Sequence, residues 1–128
     1  MIVGFTGTAR GMSTRQKEQL TELLVSLKAT SLHHGDCVGA DRQADEICVS
    51  LNIPRVIHPP IDSSKRAFCK GEIILQEKPY LVRNHAIVDS CDVMIATPKD
   101  TEETLRSGTW ATIRYAMKVG RHLHVLSP

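Results

Sequence analysis

Apolar and polar positions alternate in blocks along this chain. Met1 to Phe5 form a short apolar run that breaks into Thr6-Gly7-Thr8-Ala9-Arg10-Gly11, too polar and glycine-punctuated to continue a buried strand. Ser13 and Gln16 have the spacing of a capping box, and Leu20, Leu23, Leu24 and Leu27 recur at i, i+3, i+4 and i+7, which predicts an amphipathic helix from about Ser13 to Leu27. The unit then repeats: Ser31 to His34 reads as a weak strand, Gly35 to Asp41 as a second glycine-bearing loop, and Ala40, Ala44, Ile47, Cys48 and Leu51 as one helical face. Pro54 stops that helix, and Arg55 to His58 is a short strand ended by Pro59-Pro60.

From Pro59 to Pro79 there is no clean period, although Phe68, Ile73, Ile74 and Leu75 argue against a disordered linker; the expectation is a loop with a helical piece. Tyr80, Leu81, Asn84, Ile87, Val88 and Cys91 are helically spaced behind Pro79, a residue favoured at helix starts. Asp92 to Ala96 is the most strand-like run. Trp110, Ile113 and Met117 mark the apolar face of a last helix that Gly120 is placed to end, and His122 to Leu126 alternate into a final strand. Alternating strands and helices imply an α/β fold: one Rossmann-like, doubly wound, mostly parallel sheet of about five strands with helices on both faces, spanning residues 1–128 as a single domain. The loops after Phe5, His34 and Ala96 then emerge together at the carboxyl edge, where open sheets of this kind bind ligands.

Composition narrows the partner. With 128 residues there is room for one core; 41% apolar and 23% charged residues are the proportions of a soluble globular protein, and no apolar run approaches a membrane span. No signal peptide is expected, since glycine follows the short first run at once. A formal charge of +2 from 16 basic and 14 acidic residues argues against a dedicated nucleic-acid surface and for a small-molecule partner. Cys37, Cys48, Cys69 and Cys91 form no Cys-x-x-Cys pair, so neither a zinc ribbon nor a resident cofactor is expected, and reduced thiols in the cytoplasm are the simplest reading.

The candidate chemistry is anion binding. In Arg106 to Ala116, Ser107, Gly108 and Thr109 can present helix-start amides and two hydroxyls together, because such amides lack internal partners and glycine lets a ligand approach. Gly7, Thr8 and Arg10 offer a second phosphate-sized set, although the loop lacks the spacing of a P-loop or of Gly-x-Gly-x-x-Gly. Asp36 reads as a turn residue, while Asp41, beside Gly39, serves either ligand or internal support. Arg83 and Asn84 interrupt an apolar helix: Arg83 can reach a phosphate or make a surface ion pair, and Asn84 is expected to be buried and tied to a neighbouring loop. His33 and His34 point to opposite faces of a strand, so no joint metal site follows, and Trp110 is expected in the core. For hydrolysis, Glu102 and Glu103 are the nearby acid/base candidates, with Asp100 beside them.

Four segments together resemble the SLOG superfamily, the Rossmann-like group that includes the LONELY GUY phosphoribohydrolases and DNA-processing protein A. They are Gly-Phe-Thr-Gly-Thr-Ala-Arg at 4–10, His-Gly-Asp-Cys-Val-Gly-Ala-Asp at 34–41, Arg-Asn-His-Ala-Ile-Val-Asp at 83–89 and Arg-Ser-Gly-Thr-Trp-Ala-Thr at 106–112. The resemblance implies binding of a nucleotide or nucleotide-derived signal, ADP-ribose-like molecules of antiviral signalling included. It also implies a homodimer or higher homo-oligomer, to which the Phe68 to Leu81 region could supply a contact or a lid. Gly108 and Thr109 match the Gly-Thr of the hydrolases' Pro-Gly-Gly-x-Gly-Thr-x-x-Glu signature, and Arg83 their upstream arginine. Where the signature places its catalytic glutamate stands Thr112, which cannot act as a general acid or base, so hydrolysis carries over only if Glu102 or Glu103 substitutes. The implied function is therefore a sensor or sequestering protein for a phosphorylated nucleoside derivative, with a nucleotide hydrolase and a DNA-associated module as alternatives.

Overall fold

The computed structural model describes residues 1–128. In chain order the elements are β1 (Ile2–Gly7), α1 (Thr14–Ser26), β2 (Ser31–His34), α2 (Ala40–Ser50), β3 (Arg55–Ile57), a 3-10 turn (Ser63–Lys65), β4 (Ile73–Ile74), α3 (Tyr80–Ser90), β5 (Val93–Thr97), α4 (Gly108–Lys118) and β6 (His122–Val125). All six strands are parallel, in the order β4-β3-β2-β1-β5-β6. The strand beyond the expected five is β4, inside the aperiodic segment.

Each face of the sheet has its own core. Val3, Phe5, Val93 and Ile95 pack with Leu20 and Leu24 of α1 and Ala40, Ala44 and Cys48 of α2. Met94 packs on the other face with Ile87, Val88 and Cys91 of the α3 side and Ala116 of α4. The capping box forms, with Ser13 Oγ accepting from the Gln16 amide and Gln16 Oε1 from the Ser13 amide, both at 3.0 Å. Gln16 is fully buried because its Nε2 also donates to the carbonyls of Pro98 and Leu126, tying α1 to the end of β5 and to the C-terminal strand.

The strand order reverses between β1 and β5. Connections leave those two strands in opposite directions, and a crevice opens at their carboxyl ends. Gly7 ends β1 where no side chain fits, since a Cβ there would run into Ala40 and the Thr97 hydroxyl. Gly39 has φ +90° and lies against the Ala9 backbone, and the Ala40 amide donates to the Thr8 carbonyl at 3.0 Å. The first two loops are therefore welded to each other. No helix is long and apolar enough to cross a membrane.

Candidate functional site

A cavity of about 540 Å³ fills the crevice, walled by the loops after β1, β2 and β5 and by the first turns of α3 and α4. It lies over the reversal point, as the sheet order requires. Gly7, Thr8, Asp41, Arg83, Asn84, Ser107, Gly108 and Thr109 all line it. Arg10 and Gly39 do not: Arg10 is exposed, and Gly39 serves the loop-to-loop weld. Glu102 and Glu103 are likewise outside; both are exposed, and Glu103 is held by Arg114 at 2.7 Å.

The α4 end of the cavity is a cap with spare donors. Ser107 Oγ accepts from the Trp110 amide at 3.2 Å and Ser107 O from the Ala111 amide at 3.0 Å, whereas the Gly108 and Thr109 amides have no acceptor in the protein. The Ala9 amide across the cavity is also free. The Thr8 hydroxyl accepts from the Arg10 amide at 3.2 Å, so it shapes its loop as well as facing the cavity. Thr112 is buried one turn into α4 and donates to the Gly108 carbonyl at 3.0 Å.

Arg83 sits at the other end and is only 2% exposed. Its Nε donates to Asn84 Oδ1 at 2.7 Å, its Nη1 to the carbonyls of Gly35 and of His58 (the latter at 3.1 Å), and its Nη2 reaches Cys37 Sγ at 3.7 Å. None of these partners is a carboxylate. The surface ion pair considered for Arg83 does not form, and Asn84 is tied to Arg83 instead of to a neighbouring loop. The buried Asp41 carboxylate interacts with Arg83 through space and without a hydrogen bond, so an anion in the cavity would meet a guanidinium whose donors no carboxylate occupies.

The other charges point the same way. Lys65, Lys99 and Arg106 line the cavity with Arg83, against Asp41 and Asp100. Lys99 and Asp100 pair with each other at 3.8 Å. Burial raises the Asp41 carboxyl above its ordinary range, although His34, Arg83 and the Cys37 amide, which donates to Asp41 Oδ2 at 3.2 Å, pull it down. Asp41 thus braces the second loop, and the net field in the cavity favours an anion.

Two aromatic rings complete the walls. Tyr80 is capped by the Arg83 guanidinium 4.5 Å from its ring centre and carries its hydroxyl 3.5 Å from Cys37 Sγ; burial raises that phenol to about 12. Trp110 is half-buried and lines the cavity, which corrects its expected place in the core: the α4 stripe that packs inward is Thr109, Thr112, Ile113 and Ala116. Tyr80 lies three residues before Arg83 on a predicted helix, a spacing that puts both on one face and could have revealed it. Lys65 carries no such signal, because its position depends on Asp36. That fully buried carboxylate, at φ +59°, accepts from Arg66 Nε at 2.6 Å and from the Cys69 amide at 2.8 Å, and so fastens segment 62–70 to the second loop.

A separate cluster has ligand-type atoms of His34, Asp45 and Cys69 within 4.8 Å of one another. Its protons are already committed. The Asp36 amide donates to His34 Nδ1 at 2.9 Å, so Nε2 carries the ring proton and gives it to Asp45 Oδ1 at 2.8 Å. Arg55 Nε lies 3.3 Å from the same oxygen, and burial pushes the Cys69 thiol up to about 12. A metal bound there would have to displace the Nε2 and thiol protons and compete with Arg55 for Asp45. His33 points to the opposite face, with its Nδ1 2.8 Å from His58 Nε2.

Solved structures share this architecture. The chain superposes on the molybdenum cofactor binding protein of Rippkaea orientalis with a TM-score of 0.75 at 20% identity, covering 99% of this chain and 76% of that one. It superposes on the Moco carrier protein of Chlamydomonas reinhardtii with 0.71 at 16%, covering 98% and 75%. For DNA processing protein A of Helicobacter pylori, described for its single-stranded DNA binding mode, the values are 0.69 at 21%, covering 100% and 66%. The chain shares the Rossmann-like α/β fold of these proteins. At these identities the likeness concerns the fold. No protein-family model and no curated protein sequence matches the chain.

Proposed function

We propose that the cavity binds a phosphorylated nucleoside-derived small molecule, and that the protein acts as a cytoplasmic, homo-oligomeric sensor or sequestering protein for it. Buried Arg83, whose hydrogen bonds reach no carboxylate on its own chain, carries this reading. A phosphate docked on the free Gly108 and Thr109 amides would lie at the positive end of α4, and Arg83 Nη2, Arg106 and Lys65 would offset further negative charge. Tyr80 and Trp110 would flank a planar ring. The cofactor-binding neighbours support the general class, since they use the same fold to hold a small molecule.

Calorimetry against AMP, NAD, ADP-ribose, cyclic ADP-ribose isomers, cyclic oligonucleotides and the molybdenum cofactor tests it. The expected result is saturable binding of one compound that Arg83→Ala abolishes in a folded protein. No binding by any of them, or unchanged binding by Arg83→Ala, ends the reading. A single-stranded oligonucleotide belongs in the same panel, and tight, salt-sensitive binding of it alone would favour the DNA alternative. Product analysis with nucleoside monophosphates addresses the hydrolase alternative, for which the cavity carboxylates are Asp41 and Asp100 in place of Glu102 and Glu103.

A further inference from the structure

Asn84 is only 7% exposed, yet half of its carboxamide is unbonded. Its Oδ1 accepts from Arg83 Nε at 2.7 Å. That bond fixes which way the carboxamide faces, because a guanidinium nitrogen only donates and its partner must be the oxygen. Nδ2 is therefore the group left for the cavity that Asn84 lines, and its two protons find no acceptor in the protein. A donor in so buried a residue calls for a partner, since leaving it unpaired costs free energy.

The adjacent guanidinium is open on the same side. Nε and Nη2 form the edge of an arginine that grips a carboxylate with two parallel bonds. Here Nε is taken by Asn84, whereas Nη2 reaches only the Cys37 sulfur at 3.7 Å, a weak acceptor. An aspartate in place of Asn84 could close this edge with both its oxygens. The amide holds Nε without neutralising the charge and adds donors of its own. Asp41, the one carboxylate at this end of the cavity, hydrogen-bonds neither residue and accepts instead from the Cys37 amide at 3.2 Å.

We propose that Asn84 is a specificity-determining residue: its neutral carboxamide keeps the Arg83 edge open and, with Nδ2 beside Nη2, selects a ligand that carries a second phosphoryl group in addition to the one at the α4 amides. A phosphoryl group suits these donors because it offers them nothing but acceptor oxygens. The inference rests on the function proposed above and narrows it, from any phosphorylated nucleoside derivative to one with two phosphoryl groups.

Calorimetry of the full chain with AMP, ADP and an adenosine bisphosphate phosphorylated on both sides of the ribose tests it. One of the two doubly phosphorylated probes is expected to bind about tenfold or more tighter than AMP, the worth of hydrogen bonds to a charged acceptor, and which of them does so tells linked from separated phosphates. Asn84→Asp keeps the oxygen that orients Arg83, so a merely structural Asn84 would tolerate it; the expected result is a folded protein in which that preference over AMP disappears. If Asn84→Asp does not fold, Asn84→Ala removes the same donor without adding charge and must narrow the preference likewise. AMP bound as tightly as both other probes overturns the second phosphoryl group and leaves the proposed function standing. A preference that survives the aspartate, or the alanine where only that variant folds, overturns the role of Asn84. Binding of none of the three overturns the inference, and the wider panel above then decides the proposed function separately.

Discussion

Gly108→Pro separates the α4 amide from everything else at the cavity. Gly108 is the first residue of α4, its N–H has no acceptor, and Ser107 before it is extended at φ −77°, ψ 128°, a conformation that a following proline accepts. A Cβ at Gly108 meets only Tyr80 Cε1 at 3.5 Å, an ordinary contact. Proline here should therefore leave the fold intact and stabilise it by about 0.4–1 kcal/mol through the restricted unfolded chain. The one native group it removes is the donor. A hydrogen bond to a charged acceptor is worth about 1.5–3 kcal/mol, so anion affinity should fall by roughly 10- to 150-fold. Gly108→Ala keeps the amide and is the control. Calorimetry with the ligand identified by the panel, alongside thermal melting, gives both numbers. Equal affinities for the alanine and proline variants, with both melting at or above the native temperature, would refute the assignment of this amide to the ligand.

Two further predictions concern stability. Gly39→Ala forces a Cβ into the Ala9 backbone at a positive φ, so it should destabilise the protein by about 3 kcal/mol or more in urea denaturation, whereas a cost below about 1 kcal/mol would disprove the weld. Acid should unfold the chain through His58, which burial, assisted by the neighbouring His33, pushes from 6.5 down to about 3; His33 is lowered as well. The unfolded state binds more protons across that interval, so stability is full above about pH 6.5 and declines as pH falls, by up to about 1.4 kcal/mol per unit for each histidine. Asp41, whose carboxyl is raised, works in the opposite sense and offsets part of the loss. Melting followed from pH 7 to pH 4 should show the decline, and His58→Gln should flatten it.

Periodicity located the buried faces of α1 and α2, but in α3 and α4 it also marked Leu81 and Met117, which are largely exposed. The leucines of α1 and the Ala44 and Cys48 stripe of α2 repeat at the helical period to reach the core, whereas β5, buried at every position, is marked by a continuous apolar run. β4 escaped because neither of its side chains is buried, so no alternation marks it. Its segment is ordered from outside, by the Asp36 carboxylate on Arg66 and Cys69, a pairing 30 or more residues distant in sequence. Asp36 was legible only as a turn residue, and its positive φ agrees with that, but its carboxylate does the more consequential work. Trp110 was misplaced because helical spacing alone does not say which edge of an apolar stripe faces a cavity. Arg83 and Asn84 announced themselves by breaking the pattern of their helix, which is the signal a buried polar pair leaves in sequence.

The remaining cavity cations left no such signal, and the reason is itself testable. Lys65 and Arg106 are exposed and make no ion pair, so neither supports the fold in a way that periodicity could record. Surface changes of this kind shift stability by no more than about 0.5 kcal/mol. Lys65→Ala/Arg106→Ala should accordingly melt with the native protein and yet bind the anionic ligand more weakly. The loss should be larger in dilute buffer than at high salt, because solvent-exposed charges separated by more than about 10 Å at 0.1 M salt are largely screened from one another. Arg83 is buried and hydrogen-bonded, so its contribution should persist at high salt. Titrations of the native protein and the double variant across ionic strength distinguish the two kinds of cation. If both lose affinity with salt at the same rate, Lys65 and Arg106 do not act on the ligand, and the anion is held by Arg83 and the α4 amides alone.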